Sequence, residues 1–207
     1  MNITRKCLVV DLDNTIWGGT IGEDGLSGIK LGPDFPGNIY YDFQKYLLQL
    51  YKKGIILAIN SKNNKADVDD VFNNHPYMIL KKEHFACIKT NWQDKITNMY
   101  EIANEINVGI ESMVFVDDNP VERHYVKNGL PEVCVLELPK DQTLYKRCLE
   151  EFEGFDTLVV TKEDKTRGAM YAAELSRKEL KTISQSYEAF LFSLETKVII
   201  KLCDDFS

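Results

Sequence analysis

Two aspartates separated by one residue, Asp11 and Asp13, follow an apolar run near the start of the chain. Such a run is typical of a buried strand, and like charges this close resist ionising together unless a cation or hydrogen bonds compensate them. A second acidic pair, Asp117 and Asp118, follows a second apolar run. If the two strands are parallel neighbours, the four carboxylates meet at one edge of a sheet. Carboxylate ligands favour a hard cation, so we predict that these four residues bind Mg²⁺.

The chemistry that this arrangement favours is phosphoryl transfer, because a metal beside a hydroxyl and a lysine can neutralise phosphoryl oxygens. We predict that Asp11 attacks phosphorus and forms an aspartyl-phosphate. Asp13 could protonate the leaving oxygen and later take a proton from the attacking water. Ser61, after a third apolar run, would hold a phosphoryl oxygen, and Lys95 would offset the charge of nucleophile and phosphate.

Strand-like and helix-like segments alternate along the chain, which predicts an α/β fold with a doubly wound parallel sheet. We expect strands at about residues 6–12, 55–60, 85–89, 113–117 and 132–136, and helices at about 37–53, 65–73, 93–106, 140–152 and 162–194. Open parallel sheets bind ligands outside the carboxyl ends of their strands. The candidate residues therefore fall where a site is expected.

A glycine-rich stretch at about residues 16–33 predicts a small β-hairpin flap. The segments between the first three strands leave no room for a large cap domain, so the site should be open to a macromolecular partner. We expect residues 1–160 to form the core domain and residues 161–207 a C-terminal helical extension. A strand-like run at about 196–202 ends this extension, and it either pairs with the sheet edge or begins a further domain.

Composition argues against several classes of protein. The chain of 207 residues carries a net charge of −7 and no basic run, which excludes nucleic acid as an expected partner. No apolar run approaches the ~20 residues of a membrane span, and the first residues lack a signal-peptide pattern. We therefore predict a cytoplasmic protein without membrane association.

Other residues near the motifs are expected to be structural. The five cysteines are odd in number and lack Cys-x-x-Cys spacing, which argues against disulfides and zinc and fits a reducing compartment. We expect Cys7 to be a buried core thiol, and no cysteine is predicted to be catalytic. Glu122 and Arg123 should pair on a helix surface, where ion pairs contribute little, although Arg123 could also meet an acidic substrate.

Each candidate also has a simpler, structural interpretation. Asp11 and Asp13 could form a solvated turn. Ser61 could cap a helix. One residue of the second acidic pair is expected to cap a helix, which leaves open which of Asp117 and Asp118 binds the metal. Lys95 could be a solvent-exposed helix lysine.

Four motifs in this order resemble those of the haloacid dehalogenase superfamily of phosphohydrolases: Asp11-x-Asp13-x-Thr15, Ser61, Lys95 and Asp117-Asp118. Longer segments are similar to the FkbH-like family (subfamily IIIC), the glyceryl-transfer branch of that superfamily. They read KCLVVDLDNTIWGGTIGEDGLSGIKLG, SKNN, NWQDK and VFVDDNPVERHYVKNGLPEV. The resemblance spans about residues 5–195.

The resemblance implies a Rossmann-like core and a Mg²⁺-dependent enzyme of the kind found in polyketide biosynthesis. Such an enzyme takes the glyceryl unit of 1,3-bisphosphoglycerate, passes it to the thiol of an acyl carrier protein, and removes its phosphate. It also implies substrate-binding roles for Thr15, Ser61, Lys62 and Asn63. Many relatives continue into a C-terminal domain that resembles an acyltransferase, whereas this sequence ends at Ser207.

Two other hypotheses about function stay open. The first is a general phosphomonoesterase that acts on small molecules. The second, from a different class of protein, is a catalytically idle scaffold that binds a partner through its open face. The intact Asp11, Asp13 and Asp117 argue against the scaffold.

Overall fold

The computed structural model describes residues 5–155 together with three single helical positions, Met170, Ala173 and Arg177. The predicted helix at about 162–194, apart from these three positions, and the predicted strand at about 196–202 lie outside the described residues. The predicted C-terminal extension, residues 161–207, therefore stays a prediction.

Five parallel strands form the central sheet. They are β1 (Cys7–Val10), β2 (Ile56–Ser61), β3 (Phe85–Thr90), β4 (Met113–Val116) and β5 (Cys134–Val135). Their order is β3-β2-β1-β4-β5, so β1 lies in the middle and the chain winds outward from it in both directions. The prediction of a doubly wound parallel α/β fold is confirmed.

Helices connect and cover these strands. They are α1 (Ile21–Gly28), α2 (Gly37–Lys52), α3 (Lys65–Asn74), α4 (Lys95–Glu105), α5 (Pro120–Gly129) and α6 (Tyr145–Glu150). The helix predicted at 140–152 is shorter than expected, because a 3₁₀ turn at Gln142–Leu144 precedes α6. Among the described residues, no helix combines the length and the apolar character needed to cross a membrane.

The apolar core lies on both faces of the sheet. In β1, Leu8 and Val10 belong to one buried cluster, which includes the apolar face of α2, whereas Cys7 and Val9 belong to a second cluster with α4. A strand buried on both faces is apolar at every position rather than at alternate ones. This explains why the apolar runs in the sequence located the strands well.

The segment predicted as a β-hairpin flap, residues 16–33, is helical in its middle. The hairpin prediction is wrong there, because α1, which is kinked at the non-helical Gly25, occupies the middle, and only one antiparallel bridge, between Gly18 and Lys30, joins the two ends. The Asp24 carboxylate accepts a hydrogen bond of 2.8 Å from the Thr20 amide and so satisfies a free N–H at the helix start. Within the described part of the chain, only α1, α2 and their loops stand between β1 and β2, so no large cap domain is present there.

Candidate active site

The two acidic pairs lie side by side because β1 and β4 are parallel neighbours. Val10 pairs with Val116, so Asp11 and Asp117 directly follow paired residues. Asp11, Asp117 and Asp118 each offer a carboxylate oxygen, and these atoms lie within 4.8 Å of one another. Oxygen donors in such a group fit a hard divalent cation. These three residues could therefore hold a metal ion.

The carboxylate of Asp13 does not belong to this cluster. Its Oδ1 accepts hydrogen bonds from the Trp17 indole (2.8 Å) and the Ile21 amide (3.1 Å), and its Oδ2 accepts one from Asn63 (3.0 Å). The geometry thus gives no support to Asp13 as a carboxylate ligand of the metal. Burial raises the pKa of Asp13 above its usual value, although these hydrogen bonds oppose the shift. A raised pKa suits the predicted role of proton donor, which stays a prediction.

Lys95, the first residue of α4, is 2% exposed and lies among the carboxylates. Its ammonium group donates to Asp11 Oδ1 (2.5 Å), to Asp117 Oδ2 (2.8 Å) and to the Asn60 carbonyl (2.8 Å). Because an ammonium group has three N–H donors, these contacts use all of them. Burial lowers the pKa of Lys95, but the two carboxylates outweigh it and hold the pKa above its usual value. The alternative of a solvent-exposed lysine is wrong.

A buried network of asparagines positions Lys95. The Asn60 side chain donates to the Lys95 carbonyl (2.9 Å) and accepts from the Asn98 side chain (3.0 Å). Asn98 in turn exchanges hydrogen bonds with Asn91 at 3.0 and 3.1 Å. None of these three asparagines was among the residues predicted from the sequence. The sequence does contain one sign of this network: Asn60 is a polar residue at the end of an apolar run.

The residues after β2 contribute two groups to the site. Ser61 is buried, and its hydroxyl accepts a hydrogen bond of 3.1 Å from the Asn63 side chain. Ser61 does not cap a helix, because Asn64 occupies the N-cap position of α3. Lys62 forms an ion pair of 2.6 Å with Glu122. Ser61 and Lys62 both line the cleft described below, whereas Asn63 acts through Ser61 and Asp13.

Two side chains hold the loop that carries the second acidic pair. The Thr15 hydroxyl accepts a hydrogen bond of 3.1 Å from the Asp118 amide. Arg123 is 7% exposed, and its guanidinium group donates to the carbonyls of Asp117 and Asp118, both at 2.7 Å. Arg123 does form an ion pair of 3.2 Å with the exposed Glu137, but its largely buried guanidinium group also binds the acidic loop, which was not expected. Thr15 and Arg123 position the acidic loop, which gives Thr15 a structural contact beside its predicted role in substrate binding.

Neither Asp117 nor Asp118 caps α5, although the Asp117 carboxylate accepts a hydrogen bond of 2.8 Å from the Asn119 amide besides the one from Lys95. Asn119 is the N-cap residue, and its side chain accepts a hydrogen bond of 2.9 Å from the backbone amide two residues on. Burial raises the pKa of Asp117 to about 6, and the Asp11 carboxylate adds to the shift. Burial, Asp11 and Asp117 together raise the pKa of Asp118 to about 7. The cluster thus carries negative charge that Lys95 alone does not compensate.

These residues surround an open cleft of about 350 Å³ at the carboxyl ends of β1, β2 and β4. Its lining is formed by Asp11, Asp13, Asn14, Ser61, Lys62, Lys95, Asp117, Asp118, Asn119, Pro120 and Glu122. A cleft of this volume is at the small end of the range for small-molecule sites. The cleft can therefore accommodate a phosphate group and a short carbon chain.

The cysteines stand apart from this chemistry. Cys7 and Cys87 are buried, and burial raises the pKa of Cys7 to about 12 and the pKa of Cys87 as well. Reactive cysteines require the thiolate, which these surroundings disfavour. The geometry thus offers no activated thiol at either position.

The acidic cluster predicts how stability depends on pH. Between the ordinary aspartate value of 3.8 and the folded-state pKa values of about 6 and about 7, the folded chain binds more protons than the unfolded chain. The metal-free protein should therefore lose stability as pH rises through this window. Mg²⁺ should stabilise the protein more at the upper end of the window than at the lower end. Thermal unfolding at several pH values, with Mg²⁺ or with EDTA, measures both effects.

The variant Asp118→Asn removes one of these titrating groups and should flatten the pH dependence of the metal-free protein. If Mg²⁺ stabilised the wild type equally across the window, the assignment of the cluster as a cation site would be contradicted.

Arg123 lies outside the acidic cluster, yet we expect it to affect the affinity of the cluster for Mg²⁺. The variant Arg123→Met should weaken Mg²⁺ binding by about tenfold, because residues that orient metal ligands have effects of this size. Isothermal titration calorimetry measures the affinity. Lys127→Met is the matched control, since Lys127 lies on the same helix in an exposed ion pair of 3.1 Å with Glu137. Equal Mg²⁺ affinities in the two variants would show that Arg123 does not position the ligands.

This chain is similar to the solved structure of the N-terminal part of the protein BF1531 from Bacteroides fragilis, which contains a phosphatase domain complexed with Mg. The two share 41% sequence identity with a TM-score of 0.72, over 74% of this chain and 41% of that chain. This chain thus spans about two-fifths of that chain's length. The similarity is to the phosphatase-domain part of that protein, and it does not distinguish the FkbH-like branch.

The remaining comparisons with known proteins give no further information about the fold or the function. An uncharacterized protein from Corynebacterium glutamicum aligns over 72% of this chain and 93% of that chain, at 11% identity and a TM-score of 0.44, too weak a likeness to bear on the fold. No protein-family model matches the chain, and no curated protein matches it.

Proposed function

We propose that this chain is a Mg²⁺-dependent phosphatase of the haloacid dehalogenase type, with Asp11 as its nucleophile. The observation that carries the proposal is the grouping of Asp11, Asp117 and Asp118 at the carboxyl ends of two adjacent strands, with the Lys95 ammonium between the first two. The Mg-complexed phosphatase domain of the similar structure supports both the metal and the reaction class.

The three clustered carboxylates would hold the ion. When bound, Mg²⁺ supplies positive charge that neutralises phosphoryl oxygens in the transition state. Lys95 holds Asp11 in place, because its ammonium group donates a hydrogen bond to that carboxylate. Ser61 lines the cleft and would donate its hydroxyl proton to a phosphoryl oxygen.

The reaction would proceed in two displacements. In the first, a carboxylate oxygen of Asp11 attacks phosphorus, a new oxygen–phosphorus bond forms, and the bond from phosphorus to the leaving oxygen breaks. Asp13 donates a proton to that leaving oxygen. In the second, a water molecule gives a proton to Asp13 and attacks phosphorus. The bond between Asp11 and phosphorus then breaks, and inorganic phosphate leaves.

A narrower proposal rests on the resemblance to the FkbH-like family. In it the substrate is 1,3-bisphosphoglycerate, whose glyceryl unit passes to the thiol of an acyl carrier protein with loss of phosphate. The open cleft supports this proposal, since no large cap domain stands between β1 and β2 in the described residues. The arm of a carrier protein could therefore reach the site. Direct attack by the carrier thiol requires no cysteine of this chain.

The rival within the enzyme class is a general phosphomonoesterase for small molecules. The volume and polar lining of the cleft favour it, because both suit a small phosphate ester without any partner. The idle scaffold is disfavoured by the geometry, since the predicted nucleophile and the acidic cluster lie together in the cleft.

The deciding experiment is mass spectrometry of a holo acyl carrier protein incubated with enzyme, Mg²⁺ and 1,3-bisphosphoglycerate. A glyceryl adduct on the carrier is the expected result. The control uses the apo carrier, which lacks the thiol arm and should stay unmodified. No adduct, together with phosphate release from several phosphomonoesters, would favour the general phosphatase. Neither adduct nor phosphate release would favour the scaffold.

A further inference from the structure

An ion pair forms part of the wall of the cleft. Lys62 Nζ lies 2.6 Å from Glu122 Oε1, and the pair joins the loop after β2 to the first turn of α5. Both residues line the cleft that holds the acidic cluster. Their side chains are 38% and 17% exposed, so the pair is partly open to water. The pair is therefore within reach of a molecule bound in the cleft.

Lys62 is the cation of the cleft that a substrate can contact. The described lining contains two lysines, and the other, Lys95, uses its three N–H donors on Asp11, Asp117 and a backbone carbonyl. Among the described residues, Lys62 forms an ion pair only with Glu122. A ligand that replaces the Glu122 carboxylate thus gains an ammonium partner.

The charge of the cleft makes this cation important. Five carboxylates and two ammonium groups line it. A divalent ion on the acidic cluster would compensate part of this excess negative charge, and the phosphoryl group of the substrate would bind at that ion. Among the described lining residues, a second anionic group on the substrate would then find in Lys62 the cation that is not already bound to the acidic cluster. The ion pair uses one of the three N–H donors of Lys62, so such a group would compete with Glu122 for this ammonium group.

We infer that Glu122 is a specificity-determining residue that occupies Lys62 until a second anionic group of a phosphorylated substrate replaces it. The substrate class is a phosphomonoester whose carbon chain carries a carboxylate or another phosphate. The inference rests on the proposed function for the position of the phosphoryl group. Exchange is feasible, because partly exposed ion pairs contribute little stability and the lysine stem is flexible.

The test uses two non-hydrolysable ligands that differ at one end: 2-carboxyethylphosphonate, which is acidic there, and 3-hydroxypropylphosphonate, which is neutral. Calorimetry measures the affinity of each for the Mg²⁺-loaded protein. Glu122→Gln should tighten binding of the acidic ligand by about tenfold and leave the neutral one unchanged, since a charge-assisted contact no longer has to be displaced. Lys62→Met should weaken the acidic ligand by a similar factor.

The double variant Lys62→Met/Glu122→Gln shows whether the two residues act together. In the Lys62→Met background, Glu122→Gln should no longer change the preference for the acidic ligand. The control Asp42→Asn breaks a remote surface pair of 3.0 Å with Lys45 and should affect neither ligand. Equal shifts for both ligands, an unchanged preference in either single variant, or no binding of either ligand would overturn the inference.

These measurements record binding without turnover. A failure of the proposed phosphatase reaction is seen separately, as absent phosphate release from a hydrolysable ester. The two failures are therefore distinguishable.

Discussion

Replacement of Asp11 by asparagine is expected to reduce phosphate release by about a thousandfold or more, because the amide cannot act as the nucleophile that forms the phosphoenzyme. Asp11 is 6% exposed and faces the cleft, held by the Lys95 ammonium at 2.5 Å. The side-chain volume barely changes, so the fold should persist. Release of inorganic phosphate from an aryl phosphate in the presence of Mg²⁺ measures the effect.

The variant Asp13→Asn is the matched comparison for Asp11→Asn. Because Asp13 is the proposed proton donor, this variant should turn over alkyl phosphates more slowly by a factor of about 10² to 10⁴. The fall in turnover should be smaller for an aryl phosphate, because its leaving oxygen needs no proton. Asp11→Asn should abolish turnover of both substrates. Unchanged turnover in Asp11→Asn would end its assignment as the nucleophile.

Replacement of Lys95 by methionine is expected to destabilise the metal-free protein by about 3–5 kcal/mol, the range for a broken buried ion pair. The change leaves the carboxylates of Asp11 and Asp117, both almost fully buried, without their shared cation. Mg²⁺ should recover part of the loss, because a divalent ion compensates the same carboxylates. Urea unfolding at mildly alkaline pH, with EDTA or with Mg²⁺, measures both quantities.

Lys45→Met controls for the loss of a lysine as such. Lys45 pairs with Asp42 at 3.0 Å on the exposed face of α2, where the expected change is within about 1 kcal/mol. If Lys95→Met cost no more than this control, or if Mg²⁺ left its cost unchanged, the ammonium group would not be the cation that balances the acidic cluster.

The two lysines of the cleft have different electrostatic roles. All three N–H donors of Lys95 are bound to acceptors, one of them Asp11, the proposed nucleophile, so Lys95 acts on Asp11 rather than directly on the substrate. Lys62 lies in a partly exposed pair with Glu122 and is the ammonium group that a ligand can capture. This division predicts that changes at Lys95 alter stability and turnover, whereas changes at Lys62 alter selectivity.

Much of the fold was predictable from local pattern. The strands of the sheet are buried on both faces, so their sequences are continuous apolar runs, and β1 and β4 were located directly. Because parallel strands end at one edge of a sheet, Asp11, Ser61 and Asp117 could be assigned to one site. The flap was predicted less well. Its glycines favoured turns, whereas the contact between Asp24 and Thr20 that supports α1 is a side-chain hydrogen bond that glycine content does not reveal.

The sequence by itself determined which chemical groups this protein has and which end of each strand carries them. Only the tertiary structure decided how those groups are paired. Lys95 and Asp11 form an ion pair although they are 84 positions apart in the sequence, and Lys62 and Glu122 do so at a separation of 60 positions. The guanidinium of Arg123 binds backbone carbonyls, which every residue has. The physical reason is that these contacts depend on strand order and register, which the packing of the whole domain sets, while hydrophobic periodicity records only which faces are buried.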